Sequence, residues 1–329
     1  MFQFEPSAKQ ARQFDAAMHN ALSESVLSLA SQAESSLRSI DIEMVSNWHQ
    51  SIGAGRRVSP AAFGAYYDLI DALTEDRFQI AEQLFAEVLF SDDFLASPRV
   101  RSLGHDVPEV AGDRFQRFMG NGNTDASGIT APRYGDVERF ESLLSDAFGL
   151  LKRYRPTLYS EFDTLIRDIV LVAPDGSSDE PFEGGTSFKL WGALFLNAEC
   201  RPSPAQLAVS LTHEEGHAAL FGACRDEMLV ENPDEERFWS PIRQAKRPME
   251  GIFHATFVSA RMVDLLLVLR RASILSNYER SQMDAELQDA IGIYEDGISI
   301  IKRHARLTET GRTVLHAMRH AMDQRLVAV

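Results

Sequence analysis

The sequence has little cysteine: only Cys200 and Cys224 occur in 329 residues. Two cysteines exclude a fold held by several disulfides and a metal site built from thiolates, so both are expected to be packed or incidental thiols. Long hydrophobic runs are also lacking, because apolar segments such as residues 265–269 are short and end in charge. The first residues do not show the pattern of a secretory signal. These absences predict a cytoplasmic protein that does not cross a membrane.

Positive charge is scarce relative to negative charge. The chain has 33 Lys and Arg against 48 Asp and Glu, which gives a formal net charge of −15. A surface this acidic repels phosphate groups, so nucleic acid and anionic membrane are disfavoured as partners, whereas a basic peptide is tolerated. The hydrophobic fraction of 44% and the charged fraction of 25% are typical of a soluble globular protein.

Helical periodicity dominates what is present. The predicted helices cover residues 7–36, 60–72, 75–90, 136–153, 205–223, 249–274, 278–306 and 309–327. Thr74 is placed as the N-cap of the third of these helices, whereas Ser203 and Pro204 mark the start of the fifth and Pro248 opens the sixth. A short apolar segment at residues 168–173 and a longer, mixed one at residues 187–196 predict strands. The stretch 97–135 is rich in Gly, Pro, Asn and Asp and predicts irregular structure.

These elements predict a mainly α protein with a small β-sheet (α+β). We expect two lobes, a helical one over residues 1–160 that could bind substrate and a metal-binding one over residues 161–329. In the second lobe, a strand followed by the helix 205–223 would resemble the arrangement of zincins, and the C-terminal helices would complete it.

The strongest chemical signal is the segment His213-Glu214-Glu215-Gly216-His217, which reads H-E-x-x-H. On a helix, His213 and His217 lie one turn apart on one face and can present two imidazole nitrogens to one ion. Zinc, iron, nickel and copper all accept neutral imidazole, so the spacing alone does not select the metal. Glu214 points away from that face and can lie beside the open side of the metal, where a base acting on bound water would be needed.

A third ligand is required from elsewhere in the chain. The metzincin continuation is excluded, because Leu220 and Ala223 occupy its Gly and last His positions. The predicted helix after Pro248 offers two candidates, Glu250 and His254, on one face. Glu250 is also explained as a first-turn acid favoured by the helix dipole. His254 is also explained as a packed core histidine, but an apolar helix face gives a neutral histidine little reason to be there unless it binds a ligand.

A second histidine pair with the same spacing serves as an internal comparison. His316 and His320 lie four residues apart in LHAMRHAM, but no glutamate follows the first histidine. We interpret this pair as surface or packing histidine rather than as a metal site.

The segment HEEGHAAL, the Trp239-Ser-Pro-x-Arg243 motif and the Arg247-Pro-x-x-Gly-x-x-His254 motif together resemble the HExxH-motif proteins of ribosomal peptide natural-product pathways. The resemblance covers about residues 165–275 and is carried by these motifs. It implies an iron(II)- and 2-oxoglutarate-dependent oxygenase that hydroxylates a β-carbon of a ribosomally made precursor peptide, with dioxygen as co-substrate.

By this resemblance, His213, His217 and His254 are the iron ligands. They leave three positions of an octahedron for 2-oxoglutarate and dioxygen. The distal carboxylate of 2-oxoglutarate needs a cation, preferably a guanidinium, and the candidates are Arg243, Arg247 and Arg261. In such an enzyme Glu214 orients a ligand or contacts substrate.

Two other interpretations remain open at the level of sequence. The first is a zinc-dependent metallopeptidase in which Glu214 is the general base that activates zinc-bound water. The second is a non-catalytic helical binding protein in which the H-E-x-x-H segment is structural or accidental.

Overall fold

Helices account for most of the structure, which is a computed structural model. It describes residues 2–33, 37, 40–91, 98–120, 128–177, 182–240 and 245–327. In chain order the described helices are α1 Ala8–Gln32, α2 Ile42–Gly53, α3 Pro60–Thr74, α4 Phe78–Leu89, α5 Glu109–Gly120, α6 Tyr134–Tyr154, α7 Pro156–Leu165, α8 Pro204–Ala223, α9 Met249–Leu269, α10 Asn277–His304 and α11 Glu309–Leu326. The prediction of a mainly α chain with a small sheet is confirmed.

Five of the described strands form one mixed sheet, and two form a separate hairpin. The strands of the mixed sheet are β1 Arg99–Ser102, β2 Ile129–Thr130, β3 Asp168–Pro174, β4 Gly184–Thr186 and β5 Ala193–Asn197. β1, β3 and β5 are parallel neighbours, β4 pairs antiparallel with β5, and β2 pairs antiparallel with the end of β3. β6 Arg237–Ser240 and β7 Ala245–Pro248 pair antiparallel, with exposed Trp239 opposite Lys246.

The chain forms two compact units. Unit 1 comprises Met1–Ala11, Glu141–Phe162 and Arg201–Val329, and unit 2 comprises Arg12–Phe140 and Asp163–Cys200. Both units are therefore built from separate stretches of sequence, whereas the predicted lobes 1–160 and 161–329 are consecutive. The strand β5 belongs to unit 2 and the helix α8 to unit 1.

Several element boundaries follow the local signals in the sequence. α8 begins at Pro204 after the N-cap Ser203, as predicted, and α9 begins directly after Pro248. The strand predicted at 168–173 is β3, which is buried along nearly its whole length.

Other local predictions are wrong. Thr74 is not an N-cap but the last residue of α3, where its hydroxyl donates to the carbonyl oxygen of Ile70 at 2.8 Å. The stretch 97–135 contains β1, α5 and β2 rather than continuous irregular structure. The strand predicted at 187–196 divides into a 3-10 turn, Phe188–Leu190, and the strand β5. The helix predicted to reach residue 274 ends at Leu269.

The core of unit 2 lies between the sheet and α5. Val170 and Val172 of β3 point to the same face because side chains alternate along a strand, and Phe195 of β5 joins them. Phe115 of α5 meets Phe195 edge to face, with ring centroids 5.3 Å apart. This contact explains why the polar-looking segment 109–120 folds as a helix: its one apolar face is covered by the sheet.

Asp15 forms a buried polar cluster in unit 2. Its carboxylate accepts hydrogen bonds from Arg57 Nε at 2.6 Å and from Trp191 Nε1 at 3.1 Å, and His19 Nδ1 lies 3.3 Å away. Burial alone would raise the pKa of Asp15, but the hydrogen bonds and charges of these partners outweigh it and lower the pKa to about 2.

Unit 1 is organised around α9, which packs against α8, α10 and α11. An 18-residue stretch of α9 has a mean hydropathy of 1.7, high enough for a membrane span by length and composition, but 72% of it is buried inside the protein. Burial on several sides accounts for this composition, because a helix surrounded by other helices is apolar around most of its circumference.

Candidate functional site

The H-E-x-x-H segment lies in the second half of α8, and the start of this helix is fixed by a capping box. The hydroxyl of Ser203 accepts from the backbone N–H of Gln206 at 3.2 Å, and the side chain of Gln206 accepts from the N–H of Ser203 at 3.0 Å. Gly216 then allows α9 to approach, because a Cβ there would lie 3.2 Å from Val258 Cγ1. The close approach brings the histidines of α8 next to His254 of α9.

His213 and His217 are arranged as a metal-binding pair requires. Their Nε2 atoms are 3.2 Å apart, and their ring centroids are separated by 4.9 Å. Two nitrogens at this separation can both lie about 2.1 Å from one ion, with an angle of about 100° between the bonds. The residues therefore fit a divalent metal ion held through both Nε2 atoms, as the spacing in sequence predicts.

His254 contacts the other side of the His217 ring. Its Nδ1 is 3.2 Å from the Nδ1 of His217, and the two rings are nearly parallel, with an angle of 23° between their planes. The lone pairs of the two nitrogens in one imidazole diverge, so one ion cannot bind both Nδ1 and Nε2 of His217. Within the described part of the chain, no three His, Cys, Asp or Glu side chains are already grouped as ligands of one ion.

His213 and His254 flank His217, and the second ring nitrogen of each also has a polar neighbour. His213 Nδ1 is 3.4 Å from the sulfur of Met262, and His254 Nε2 is 3.5 Å from Oε1 of Glu250. The buried carboxylate oxygens of Glu250 have no hydrogen-bond partner among the residues that the structure describes. Glu250 lies in the first turn of α9, as predicted.

Glu214 is placed beside the candidate metal position. Its Oε1 is 4.0 Å from His213 Nε2, and its side chain is mostly buried. The carboxylate is therefore near the nitrogen pair without occupying the position between the two Nε2 atoms, in agreement with the direction expected from the helix geometry.

The electrostatic surroundings keep His217 neutral. Burial lowers the pKa of His217 well below its usual range, and the adjacent rings of His213 and His254 lower this pKa further. A neutral imidazole is the form that binds a metal ion, so no proton has to be displaced from a charged ring when the ion binds.

Arg261 of α9, whose Cγ would lie 3.6 Å from a Cβ at Gly216 of the motif, is part of a buried charge cluster. Its Nη2 donates to Glu161 Oε1 at 3.0 Å and its Nη1 to Glu161 Oε2 at 3.4 Å, and both side chains are almost completely inaccessible to solvent. Glu161 also accepts from the backbone N–H of Ser7 at 2.7 Å. Burial raises the pKa of the adjacent Glu215 to about 8, and the charge of Glu161 adds to this effect while Arg261 opposes it.

The three arginines predicted to bind 2-oxoglutarate therefore differ in placement. Arg261 does bind a carboxylate, but it is the carboxylate of Glu161. Arg247 lies on β7, three residues before Glu250, and is partly buried. Arg243 lies outside the described residues.

Sequence comparison adds no assignment to this geometry. The chain matches no known family model, and no curated protein is significantly similar to it.

The second histidine pair, on α11, differs from the pair on α8 in its exposure to solvent. His316 and His320 are both exposed, and His320 Nε2 is 3.1 Å from the side-chain nitrogen of Gln324. Of the two placements predicted, surface or packing, the structure shows the surface one.

Sequence reasoning missed three residues that shape the site: Glu161, Glu215 and Met262. A signal for Glu215 was present, because it shares the buried face of α8 with Leu211 and Gly222, and a charged residue on such a face requires a partner. No local signal identifies Glu161 as the partner of Arg261, since the two residues lie 100 positions apart in the sequence.

Proposed function

We propose that this chain is an iron(II)- and 2-oxoglutarate-dependent oxygenase that hydroxylates a β-carbon of a ribosomally made precursor peptide. The observation that carries the proposal is the 3.2 Å separation of the Nε2 atoms of His213 and His217. The motifs around Trp239 and His254, which resemble the HExxH-motif proteins of ribosomal peptide pathways, support the choice of reaction.

In this function the Nε2 atoms of His213 and His217 hold the iron. The resemblance adds His254 as a third ligand, a role that would require its ring to leave the Nδ1 contact with His217. When bound, iron and 2-oxoglutarate supply with dioxygen the oxidation that replaces a C–H hydrogen with hydroxyl, releasing succinate and carbon dioxide. Burial keeps His217 in the neutral form that binds the ion, and Glu214 orients the groups on the exposed side of the pair.

The distal carboxylate of 2-oxoglutarate still requires a cation. Arg261 is committed to Glu161 in the core. We assign this role to Arg247, because β7 leads directly into the helix that carries Glu250 and His254. A guanidinium suits it, since its planar pair of N–H groups matches both carboxylate oxygens.

The test begins with anaerobic purification and metal analysis, followed by incubation with iron(II), 2-oxoglutarate and air. Succinate formation is measured without added peptide and with peptides encoded next to the gene, and the peptides are examined by mass spectrometry. We expect one bound iron per chain and a gain of one oxygen in the peptide. His213→Ala and His217→Ala should abolish both metal binding and turnover, whereas the matched variant His316→Ala should keep both. Metal removal without any effect on stability or ligand binding would favour a non-catalytic helical protein.

A zinc peptidase is the second candidate, and the position of Glu214 near His213 favours it. In a peptidase this carboxylate activates zinc-bound water as general base. Glu214→Gln would then abolish activity while the metal remains bound, whereas an oxygenase should keep substantial turnover. Cleavage of the peptide backbone instead of a gain of oxygen would select the peptidase.

A further inference from the structure

We propose that His254 and Glu250 form a positioning pair behind His217, and that the chain supplies only two imidazole ligands to the metal. This inference rests on the metal-binding pair of the proposed function, but not on the reaction. It differs from the expectation from sequence, in which His254 is the third ligand.

The first argument is a count of donors and acceptors. If the metal takes the Nε2 lone pairs of His213 and His217, each ring carries its proton on Nδ1. Both of these N–H groups then have an acceptor in place. Met262 Sδ is 3.4 Å from Nδ1 of His213, and His254 Nδ1 is 3.2 Å from Nδ1 of His217. Metal binding through Nε2 therefore requires the tautomers that carry the proton on Nδ1, and in both histidines this N–H faces a hydrogen-bond acceptor.

The second argument extends the same chain of contacts to Glu250. When His254 accepts through Nδ1, its proton must lie on Nε2, and this atom is 3.5 Å from Oε1 of Glu250. The carboxylate oxygens of Glu250 are buried and have no hydrogen-bond partner among the described residues, so this N–H is a donor close enough to serve Oε1 after a small movement. All three imidazoles then donate once, without any ring having to carry a second proton.

The third argument concerns the position of His254. Its contact with His217 is made on the side of the ring opposite to the metal-facing Nε2 atom. The two rings are close to parallel, and Phe221 lies against both, with centroid distances of 6.3 Å to His217 and 5.6 Å to His254. This packing holds His254 where it orients His217, as a carboxylate or carbonyl commonly does for a metal-bound histidine.

The experiment counts coordinated imidazoles without using activity. Copper(II) is bound to the full chain, and pulsed electron paramagnetic resonance measures how many imidazole nitrogens couple to the ion. All variants are made in a His316→Gln/His320→Gln background, because these exposed histidines could otherwise bind copper. Cobalt(II) affinity is measured by titration, and circular dichroism checks that each variant is folded.

We expect two coupled imidazoles in the parent protein and two in His254→Gln. His217→Gln should leave one. Cobalt(II) affinity should fall about 10- to 100-fold in both His254→Gln and Glu250→Gln, as is typical when the partner of a metal-bound histidine is lost. The double variant of His254 and Glu250 should lose no more than the single variants, because the two residues act in series.

Three coupled imidazoles in the parent protein, falling to two in His254→Gln, would overturn the inference and leave the metal site intact. Copper coupling that survives unchanged in both His213→Gln and His217→Gln would instead show that these histidines do not bind the metal, and the proposed function would then be wrong as well. The count in the parent protein decides between two and three ligands even if a variant fails to fold.

Discussion

Replacement of Arg261 by methionine should destabilise the protein strongly. The Arg261 side chain is 1% exposed and that of Glu161 is 0% exposed, so the substitution leaves the Glu161 carboxylate buried without its cation. Removal of one partner of a buried ion pair costs about 3–5 kcal/mol in free energy of unfolding. Methionine keeps apolar contact with the rings of Phe4 and Phe257, which flank the guanidinium, so the loss is mainly electrostatic.

The assay is guanidinium denaturation of four proteins: the parent, Arg261→Met, Glu161→Gln and the double variant. The double variant should be more stable than Arg261→Met, because its buried site carries no unpaired charge and the amide oxygen introduced by Glu161→Gln can still accept from the backbone N–H of Ser7. Arg271→Met, at an exposed arginine just after α9, is the matched control and should change stability by no more than about 0.5 kcal/mol. A loss below about 1 kcal/mol in Arg261→Met, together with weaker binding of 2-oxoglutarate, would show that Arg261 serves the co-substrate and that the reasoning is wrong.

Three further predictions concern stability. Because the folded-state pKa of Asp15 is about 2 rather than 3.8, its contribution is complete above pH 5 and is lost as pH falls; in urea denaturation, the loss of stability between pH 5 and pH 3 should be about 1 kcal/mol smaller in Asp15→Asn than in the parent protein. Ser203→Ala should cost about 1 kcal/mol, measured by thermal unfolding, because the capping box is lost. Gly311→Ala should cost about 1–3 kcal/mol, since its Cβ would lie 1.9 Å from the carbonyl oxygen of Leu229. The control Gly149→Ala, with no atom within 4 Å of the added Cβ, should be neutral or stabilising, and equal effects of the two glycine substitutions would contradict the clash.

The parts of the fold that the sequence predicts are those with a local cause. Ser203 and Pro204 determine the start of α8 through contacts within four residues, and β3 is apolar from Ile169 to Ala173, where it is buried on both faces. The helix α5 was missed because its apolar residues are sparse and become helical only against the sheet. The parallel pairing of β3 and β5 depends on contacts distant in sequence, which periodicity does not report.

In the candidate site, too, the features with a local cause could be predicted and those that depend on tertiary packing could not. The spacing of His213 and His217 is a property of any helix, so their pairing could be predicted. The side from which His254 approaches His217 depends on how α9 packs against α8, and the sequence contains no local record of it. The prediction for Arg261 fails to identify Glu161 as a competitor because that carboxylate is contributed by α7.

The three tryptophans of the chain are divided between the two units. Trp239 of unit 1 is 58% exposed, whereas Trp48 and Trp191 of unit 2 are 4% and 3% exposed. Each unit thus carries its own intrinsic fluorophore, one in water and the others in an apolar environment. Acrylamide quenching of the red-shifted emission of Trp239 would report on the hairpin that leads into the histidine site. The blue-shifted emission of Trp48 and Trp191 would follow the unfolding of unit 2. Neither measurement needs an added label.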